Sequence, residues 1–445
     1  MRINNSLLIL LTALFLISCG DKNVKQPSRE LDTKMNNIAE SYAKVILRVG
    51  QFDPDYVDAY YGPDEWKPDS TYTADSTALK HLDAETDALL DSLESLGKYN
   101  ADEMQTLRFR FLFKQMLALK TKIFMLQGGH LPFDKETNAL YDAEAPHYSE
   151  EHFKKIIAEL DRMLPGSGDV TDRFDNFRSQ FIIPKDKLDK VFTAAINECR
   201  SRTLDHIRLP QDENFKVEYV NNKPWGGYNW YKGNSYSVIQ VNTDLPIYID
   251  RAVDLAAHEG YPGHHVYNTL LEKNLVRQRG WAEFSVYPLF SPQSLIAEGT
   301  ANFGINMVFP GDSRIKFEKE VLFPIAGLDS SQADEYYNAL ELLDKLSYAG
   351  NEAARNYLNG DWNREAAVDW LQKYELMSKE RAEKRMSFID KYRSYVINYN
   401  LGKDIVKNYI ERNGGTKDNP AKRWEIFEKI ISTPQTPSGL QETKK

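Results

Sequence analysis

The stretch Asp254-Leu-Ala-Ala-His258-Glu259-Gly-Tyr-Pro262-Gly263-His264-His265 decides how this chain is interpreted, because it places three of the eight histidines beside a glutamate. The zinc motif HExxH supplies two imidazoles and a catalytic carboxylate from one helical turn. Here Pro262 stands where the second histidine of that motif would fall. On an undistorted helix, His264 would point about 240° away from His258 and lie about 9 Å further along the axis. His265 would return to the correct face but about two turns away, which is also a poor reach.

Pro262 and Gly263 offer a way around this geometry. Proline removes a helical hydrogen bond and glycine permits dihedral angles that other residues avoid, so the helix can bulge before the histidine pair. The stretch therefore predicts a helix–bulge–helix zinc motif that begins with His258. The alternative is a helix with surface histidines and an incidental Pro-Gly turn.

The pattern HExxPGHH, preceded by an apolar helix, resembles the signature of a bacterial family of the domain of unknown function 885 type, placed near the gluzincin metallopeptidases. In that family the histidine directly after Pro-Gly is the second metal ligand, which implies His264 here. Glu259 is then the expected general base, and His265 is expected to orient a ligand or to contact the reaction intermediate. The chain departs from the family after the motif, where Tyr267 replaces the usual glutamine.

A third ligand is expected from a second helix, which begins at Ser291-Pro292 with an N-cap and a proline at the first helical position. Glu298 is the single acidic residue on this otherwise apolar helix. A buried carboxylate is costly unless it is paired or bound to a cation, and zinc is a natural partner. Its Glu-Gly-x-Ala context also resembles the third-ligand helix of the family. Glu283 is the competing candidate.

The segment from Phe215 to Thr243 is rich in aromatic residues, glycine and asparagine, and its alternation favours short strands. In the gluzincin-like arrangement, the strand before the metal helix has a free edge that pairs with an extended peptide. That role predicts substrate binding by Tyr236, Val238 and Gln240. The alternative is a small sheet that only closes the fold.

Near the C-terminus, Tyr392 to Gly402 resembles the closing motif of the family, in which a tyrosine precedes a glycine by three residues. Hydrolysis of a peptide bond needs a donor for the developing oxyanion, and tyrosine or arginine can serve. Tyr399 is the expected catalytic donor, with Tyr395 and Arg393 as substrate-binding residues behind it.

The N-terminus predicts export. Met1-Arg2 is followed by an apolar run from Leu7 to Ile17, too short to span a bilayer, and Leu16-Ile17-Ser18-Cys19 resembles a bacterial lipobox. We therefore expect a signal peptide over residues 1–18, lipidation of Cys19 and a polar tether over residues 19–30. The protein would then lie in the bacterial cell envelope, periplasmic or surface-exposed, and contact the membrane only through this lipid.

Composition and helical periodicity predict the architecture. Hydrophobic residues make up 42% of the chain and charged residues 27%, which is typical of a globular protein. The net charge of −9, without a basic stripe, argues against nucleic-acid binding. We expect a mainly α, two-lobed zincin-like metallohydrolase with a small sheet next to the metal helix: an N-terminal helical lobe over residues 31–210, a catalytic zinc-binding lobe over 211–432 and a disordered tail over 433–445.

The expected function is zinc-dependent hydrolysis of peptide bonds, with short peptides as substrates and a zinc-activated water as nucleophile. The alternative is a lipid-anchored helical binding protein that presents Trp225, Tyr228 and Trp230 to peptides or glycans, with a non-catalytic metal site. A closed structural site would have four protein ligands, and only three good ligands are found here, so the catalytic interpretation is favoured. The sequence predicts no particular oligomeric state.

Overall fold

The computed structural model describes residues 26–97 and 102–442. Within them the fold is mainly helical with small sheets, as predicted. The predicted signal peptide, residues 1–18, and Cys19 lie outside the described residues. Among the helices of the described part, none combines the length and the apolar character needed to cross a membrane.

Long helices that pack against their chain neighbours build the region predicted as the N-terminal lobe. The side chains of Asp75, Asp102 and Asp169 accept hydrogen bonds from first-turn amides and so fix where three of these helices begin. The helices are α1 Gln26–Val49, α2 Ser76–Ser95, α3 Glu103–Leu126, α4 Phe133–Tyr141, α5 Glu150–Met163, α6 Val170–Ser179 and α7 Leu188–Leu204.

Two small sheets form within the described residues, and the three-stranded one packs against the helix that carries His258 and His264. The strands are β1 Val57–Tyr60, β2 Asn214–Val220, β3 Gly227–Tyr231, β4 Tyr236–Asn242 and β5 Val286–Pro288. One sheet is the antiparallel pair β1–β5. The other has the order β2-β4-β3, in which β4 runs parallel to β2 and antiparallel to β3. β4 is therefore the central strand.

The rest of the chain returns to helices. The helices are α8 Asp250–Leu255, α9 His264–Leu271, α10 Pro292–Val308, α11 Ser313–Phe317, α12 Phe323–Ala326, α13 Ala333–Leu346, α14 Tyr348–Leu358, α15 Arg364–Tyr374, α16 Lys379–Tyr392, α17 Ile397–Arg412, α18 Pro420–Ser432 and α19 Pro437–Gln441. Helix α10 is buried at every residue from Pro292 to Ala301 and packs along α17. It therefore carries Glu298 into the interior of the protein.

Buried hydrophobic side chains form one connected core from Met35 in α1 to Leu440 in α19. Leu119 of α3 and Leu295 of α10 both belong to it. The predicted segments 31–210 and 211–432 thus share a core, so the division at residue 210 marks stretches of sequence and not separate hydrophobic interiors.

Helical structure reaches into both predicted end segments, the polar tether and the disordered tail. Helix α1 already begins at Gln26, inside the predicted tether, because extending an existing helix costs far less than starting one. The predicted disordered tail is wrong as far as Glu442, since Thr436 caps α19 by accepting a hydrogen bond from the Gly439 amide at 3.1 Å. Leu440 is only 1% exposed, and its burial anchors this helix.

Candidate metal centre

The metal helix bulges at the position that the sequence predicts. Helix α8 continues into a π-helical turn over Ala256–Gly260, and α9 begins again at His264. The Tyr261 amide donates to the carbonyl of Ala256 at 3.0 Å, and the Gly263 amide donates to the carbonyl of Ala257 at 2.9 Å. These bonds span five and six residues instead of the usual four, which widens the turn and draws the second histidine back towards the first.

Gly263 makes this turn possible. A Cβ atom at this position would lie 1.8 Å from the His258 carbonyl oxygen and 2.5 Å from that of Ala257. Both contacts are with backbone, which cannot move aside without undoing the turn. Glycine is therefore required here by close packing of the chain on itself.

The structure brings His258, His264 and Glu298 together. The two Nε2 atoms are 3.1 Å apart, and Glu298 Oε2 lies 3.2 Å from Nε2 of His258 and 3.7 Å from Nε2 of His264. Three ligand atoms about 2.0–2.1 Å from one metal ion, at tetrahedral angles, would be about 3.3–3.4 Å apart. The spacing of these donors therefore fits zinc.

The two carboxylate oxygens of Glu298 have different surroundings. Oε1 accepts a hydrogen bond from the Tyr395 hydroxyl at 2.8 Å, whereas Oε2 is buried and receives none. Burial alone would raise the pKa of Glu298, but the imidazoles of His264 and His258 lower it well below its usual range. An ionised, buried oxygen without a donor, facing two imidazoles, is what a bound cation would satisfy.

Asn302, which the sequence analysis missed, orients the first histidine. It lies one turn after Glu298 on α10, and its Oδ1 is 3.2 Å from Nδ1 of His258. Its Nδ2 donates to the Tyr399 carbonyl at 3.2 Å, so the amide oxygen faces the imidazole. A proton on Nδ1 leaves Nε2 free to bind a metal. The signal in the sequence was a polar residue four positions after Glu298 on an apolar helix.

Glu259 lies beside the cluster without belonging to it. Its side chain is buried, and burial raises the pKa of its carboxyl group, while the charges of His258 and His264 act in the opposite direction. The backbone carbonyl of Glu259 accepts a hydrogen bond from the side-chain amide of Asn229 at 2.7 Å. Gly227 lies on the same face of β3 as Asn229, and a Cβ atom at Gly227 would lie 3.0 Å from Oε1 of Glu259. The carboxylate therefore sits between the metal helix and β3.

The prediction that His265 acts in catalysis is wrong. Its Nδ1 lies 2.8 Å from the Ser237 hydroxyl and its Nε2 lies 3.0 Å from Oε2 of Glu213, so both ring nitrogens are engaged in the interior. Consecutive residues of a helix point about 100° apart, and α9 turns His265 away from the side that carries His264. Its role is to fix α9 against the sheet.

The predicted substrate edge is also placed differently. β4 is paired along both sides, so Tyr236, Val238 and Gln240 have no free backbone edge to offer a peptide. These side chains alternate with Ser237, Ile239 and Val241, which face the protein interior. Periodicity could not predict that β2 would pair with β4 in parallel, because a parallel pair is not joined by a tight turn and β3 lies between the two strands along the chain. The edge strand nearest to Glu259 is β3.

The three residues predicted near the C-terminus have three different surroundings. Tyr395 binds Glu298 and thus supports a ligand instead of the substrate. Arg393 pairs with the buried Glu136 at 2.7 Å, which contradicts its predicted substrate-binding role. Tyr399 packs against Tyr395, and burial together with the charge of Glu298 raises the pKa of its hydroxyl well above the usual value. Tyr399 therefore stays protonated and able to donate.

Glu283, the competing third ligand, belongs to a different site. It forms a two-pronged pair with Arg108, with Nε to Oε1 at 2.6 Å and Nη2 to Oε2 at 3.0 Å. Both side chains are almost fully buried. Glu283 is thus paired elsewhere, and the cluster has Glu298 as its carboxylate.

Asp58 is a further acidic residue near the cluster. It is half-buried on β1, and Oδ1 accepts a hydrogen bond from the Tyr228 hydroxyl. Burial raises the pKa of Asp58 to about 6, and the negative charge of Asp58 contributes to raising the pKa of His264. The sequence signal was one acidic residue in the strand Val57-Asp-Ala-Tyr60.

Comparisons with known proteins show a related fold. No protein-family model matches the chain and no curated protein matches it, so the HExxPGHH resemblance stays a prediction. A crystal structure of a candidate lipoprotein from Colwellia psychrerythraea is 12% identical, with a TM-score of 0.50, and the match covers 84% of this chain and 69% of that one. A candidate lipoprotein of unknown function from Shewanella oneidensis is 11% identical, with a TM-score of 0.41 and coverage of 79% and 72%. The first of these likenesses shows that the chain shares a fold with a solved protein.

Proposed function

We propose that this protein is a zinc-dependent peptidase. The observation that carries the proposal is the triangle of His258, His264 and Glu298, whose spacing suits zinc and whose buried Oε2 has no hydrogen-bond donor. The three side chains are between 8 and 14% exposed, so each retains some contact with solvent. Three protein ligands and an open side are typical of catalytic zinc.

The residues around the triangle supply acid–base chemistry. Zinc bound there would polarise a carbonyl group and make water acidic enough to lose a proton near neutral pH. Glu259 accepts that proton from water and later delivers it to the nitrogen of the leaving amine. Tyr399 keeps its proton and donates a hydrogen bond to the negative oxygen that develops. Asn302 and Tyr395 hold His258 and Glu298 in place.

The sheet supports a peptide as the substrate. β3 is an edge strand, and its residues Gly227 and Asn229 adjoin Glu259. An unpaired strand edge can hold an extended chain through main-chain hydrogen bonds. This places backbone donors and acceptors next to the general base.

We further propose that the protein is anchored by a lipid on Cys19 and acts in the cell envelope. The lipobox-like sequence that ends at Cys19 supports this location. The Colwellia psychrerythraea protein that shares the fold is itself described as a candidate lipoprotein.

The direct test compares wild-type protein with Glu259→Gln for both zinc content and peptide hydrolysis. We expect about one zinc ion per chain in each, and a loss of kcat of about 10²–10⁴-fold in the variant, since only proton transfer is removed. Glu341→Gln, at an exposed position on α13, is the control and should match wild type.

Two results would contradict the proposal. Equal turnover by Glu259→Gln would exclude this residue as the base. Failure of metal-free wild type to take up added zinc would remove the metal centre and favour the binding-protein alternative.

A further inference from the structure

The metal helix meets solvent along a single line. From Asp250 to Gly260 every position is buried except Arg251, Asp254 and His258. These residues are three and four positions apart, a spacing that places them on one face of a helix. Seven residues of helix rise by about 10 Å. Solvent therefore reaches the first metal ligand along a stripe that starts about two turns earlier, at Arg251.

Helix α16 carries two arginines and two aromatic rings on one of its faces. Arg381, Arg385, Phe388 and Tyr392 are spaced by four, three and four residues. The guanidinium carbon of Arg385 lies 5.5 Å from the centre of the Phe388 ring. The Phe388 ring lies 6.4 Å from that of Tyr395, the residue whose hydroxyl binds the carboxylate of the candidate metal centre. The aromatic half of this face therefore lies beside the metal centre.

The arginine half of the same face lies beside the start of the metal helix. The guanidinium carbon of Arg381 is 5.7 Å from the centre of the Tyr248 ring. The carbonyl of Tyr248 accepts a hydrogen bond from the amide of Arg251 at 3.0 Å. The face of α16 and the exposed stripe of the metal helix thus begin next to one another, and both lead to the metal centre.

The two arginines of α16 have no carboxylate partner. Across the ranges 26–97 and 102–442, neither Arg381 nor Arg385 forms a salt bridge, whereas Lys384 between them lies 3.8 Å from Asp244. Arg178 contacts the same tyrosine ring as Arg381, at 4.9 Å, and burial together with this like charge lowers the pKa of Arg381. The Nε atom of Arg385 is buried without a hydrogen-bond acceptor. Two partly buried cations thus stand without a counter-ion.

Glu375 shares the surroundings of Arg385 without neutralising it. A Cβ atom at Gly350 would lie 2.9 Å from Oε2 of Glu375 and 3.5 Å from Nη2 of Arg385. Oε2 of Glu375 is nevertheless buried without a hydrogen-bond donor. Burial raises the pKa of this carboxyl group to about 7, although the charge of Arg385 acts in the opposite direction. A paired carboxylate would be held ionised well below neutral pH, so the charge of Arg385 remains available to a ligand.

We propose that Arg381 and Arg385 bind the C-terminal carboxylate of the substrate, so that the protein releases short peptides from the C-terminus of longer ones. This inference rests on the proposed peptidase function. The planar guanidinium group matches a carboxylate through two parallel hydrogen bonds, which favours this ligand. In the reaction, the water oxygen bonds to the scissile carbonyl carbon and the C–N bond breaks. The amine of the released C-terminal peptide takes the proton that Glu259 removed from water.

The length of the exposed stripe sets the size of the product. An extended peptide covers about 3.3–3.6 Å per residue, so the distance of about 10 Å between the start of the metal helix and His258 holds about three residues. We therefore expect dipeptides and tripeptides as products. An acidic side chain on the same side of the cleaved bond has the same carboxylate chemistry, and the test distinguishes the two sources.

The experiment uses zinc-loaded protein and pairs of peptides that differ only in C-terminal amidation. We expect amidation to lower kcat/KM by about 10–100-fold, the effect of removing one partner of a partly desolvated charge pair. Arg381→Gln and Arg385→Gln should each lower kcat/KM for the free acid and remove most of the discrimination. Arg381→Lys and Arg385→Lys keep the charge without the two-pronged contact, so they should recover part of the activity.

Lys391→Gln is the matched control, because it removes one positive charge from the same helix at a residue that already pairs with Asp55, at 3.0 Å. It should retain the wild-type preference for a free C-terminus. Equal hydrolysis of both peptides by wild type, or an unchanged preference in both glutamine variants, would overturn the inference. A preference that instead follows a glutamate side chain in amidated peptides, and is lost in both variants, would overturn it in favour of a side-chain carboxylate.

A binding measurement separates this inference from the proposed function. Calorimetry on zinc-loaded Glu259→Gln, in which the peptide stays intact, would compare the free acid with the amide, with and without the additional change Arg385→Gln. Tighter binding of the free acid that depends on Arg385, without any hydrolysis by wild type, would support the subsite and contradict the peptidase. Hydrolysis by wild type without any preference for the free acid would support the peptidase and contradict the subsite.

Discussion

Two buried glutamates, Glu283 and Glu298, show how similar sequence contexts reach different outcomes. Glu283 precedes the buried strand β5, and Glu298 lies on the apolar helix α10. Both side chains are shielded from solvent. Glu283 meets Arg108, which satisfies both its oxygens, and Trp281 stacks over the guanidinium 4.7 Å from its centre. Glu298 meets two imidazoles and a tyrosine and retains one oxygen without a donor. The first site is complete in itself, whereas the second leaves a buried oxygen for which we propose zinc as the partner.

This difference distinguishes the Arg108–Glu283 ion pair, which stabilises the fold, from the Glu298 carboxylate, which is available to bind a ligand. A buried ion pair with all its hydrogen bonds made is costly to break but binds nothing further. A buried carboxylate oxygen that receives no hydrogen bond is still available to a cation, which points to use in binding. The predictions that follow test this contrast.

The largest expected effect is on stability. Arg108→Ala leaves Glu283 as an unpaired buried charge and should lower the free energy of unfolding by about 3–5 kcal/mol, without changing zinc affinity. Urea denaturation and zinc titration measure the two quantities. Arg110→Ala on the same helix, where Arg110 forms an exposed pair with Glu442, should cost less than about 1 kcal/mol. If the two variants were equally stable, the contrast between the sites would fail.

The converse substitution should affect the metal and spare the fold. Glu298→Gln keeps an acceptor for Tyr395 but removes the metal ligand. Zinc affinity should therefore fall by more than about 100-fold, which exceeds the loss expected when a residue that only orients a ligand is changed. The free energy of unfolding of the metal-free protein should fall by less than in Arg108→Ala, because His264 can lose its proton once the facing carboxylate is neutral. Glu283→Gln should show the opposite pattern. Loss of zinc in both variants would contradict the separation of the two sites.

A smaller effect is expected at the residue behind the first histidine. Asn302→Ala removes the acceptor for His258 Nδ1 and should weaken zinc binding by about 10–100-fold. Competition with a chromophoric chelator measures this. Asn302→Asp should restore most of the affinity, and Asn306→Ala, at an exposed position of the same helix, should have no effect. Unchanged affinity in Asn302→Ala would show that the hydrogen bond does not orient the ligand.

The smallest effect, when counted for each pH unit, concerns the protonation of His264. Burial would lower the pKa of His264, but the charge of Glu298 and the other carboxylates raises it to about 9 in the metal-free protein. Zinc needs the neutral imidazole, so binding at pH 7 should release about one proton, and affinity should rise about tenfold per pH unit up to pH 9. Calorimetry in buffers of different ionisation enthalpy measures the released proton. No release at pH 7 would contradict the raised pKa.

The local features of the site could be predicted from the sequence because they depend on spacing and on chemical cost. Pro262-Gly263 required a bulge, and the turn forms there. Glu298 required a partner, and it lies beside both histidines. These inferences needed only helix geometry and the free energy of burying a charge.

The failures concern contacts between distant segments. The contact of His265 with Glu213 and the pairing of Arg393 with Glu136 join residues far apart in sequence, and the parallel pairing of β2 with β4 passes over the strand between them. Periodicity describes one segment at a time and contains no information on which segments meet. Asp58 was missed for the same reason, since it lies about 200 residues before the metal ligands.

The close approach of α10 and α17 has a consequence for any map of mutational tolerance. A Cβ atom at Gly299 would lie 2.4 Å from the backbone of Gly402, and one at Gly402 would lie 2.7 Å from the carbonyl oxygen of Leu295. Even alanine at either position would push the helices apart and move Glu298 relative to the tyrosines of the α17 region. A saturation screen scored by the proposed activity would therefore flag these two glycines, which have no functional group, as strongly as it flags Glu259, the proposed base.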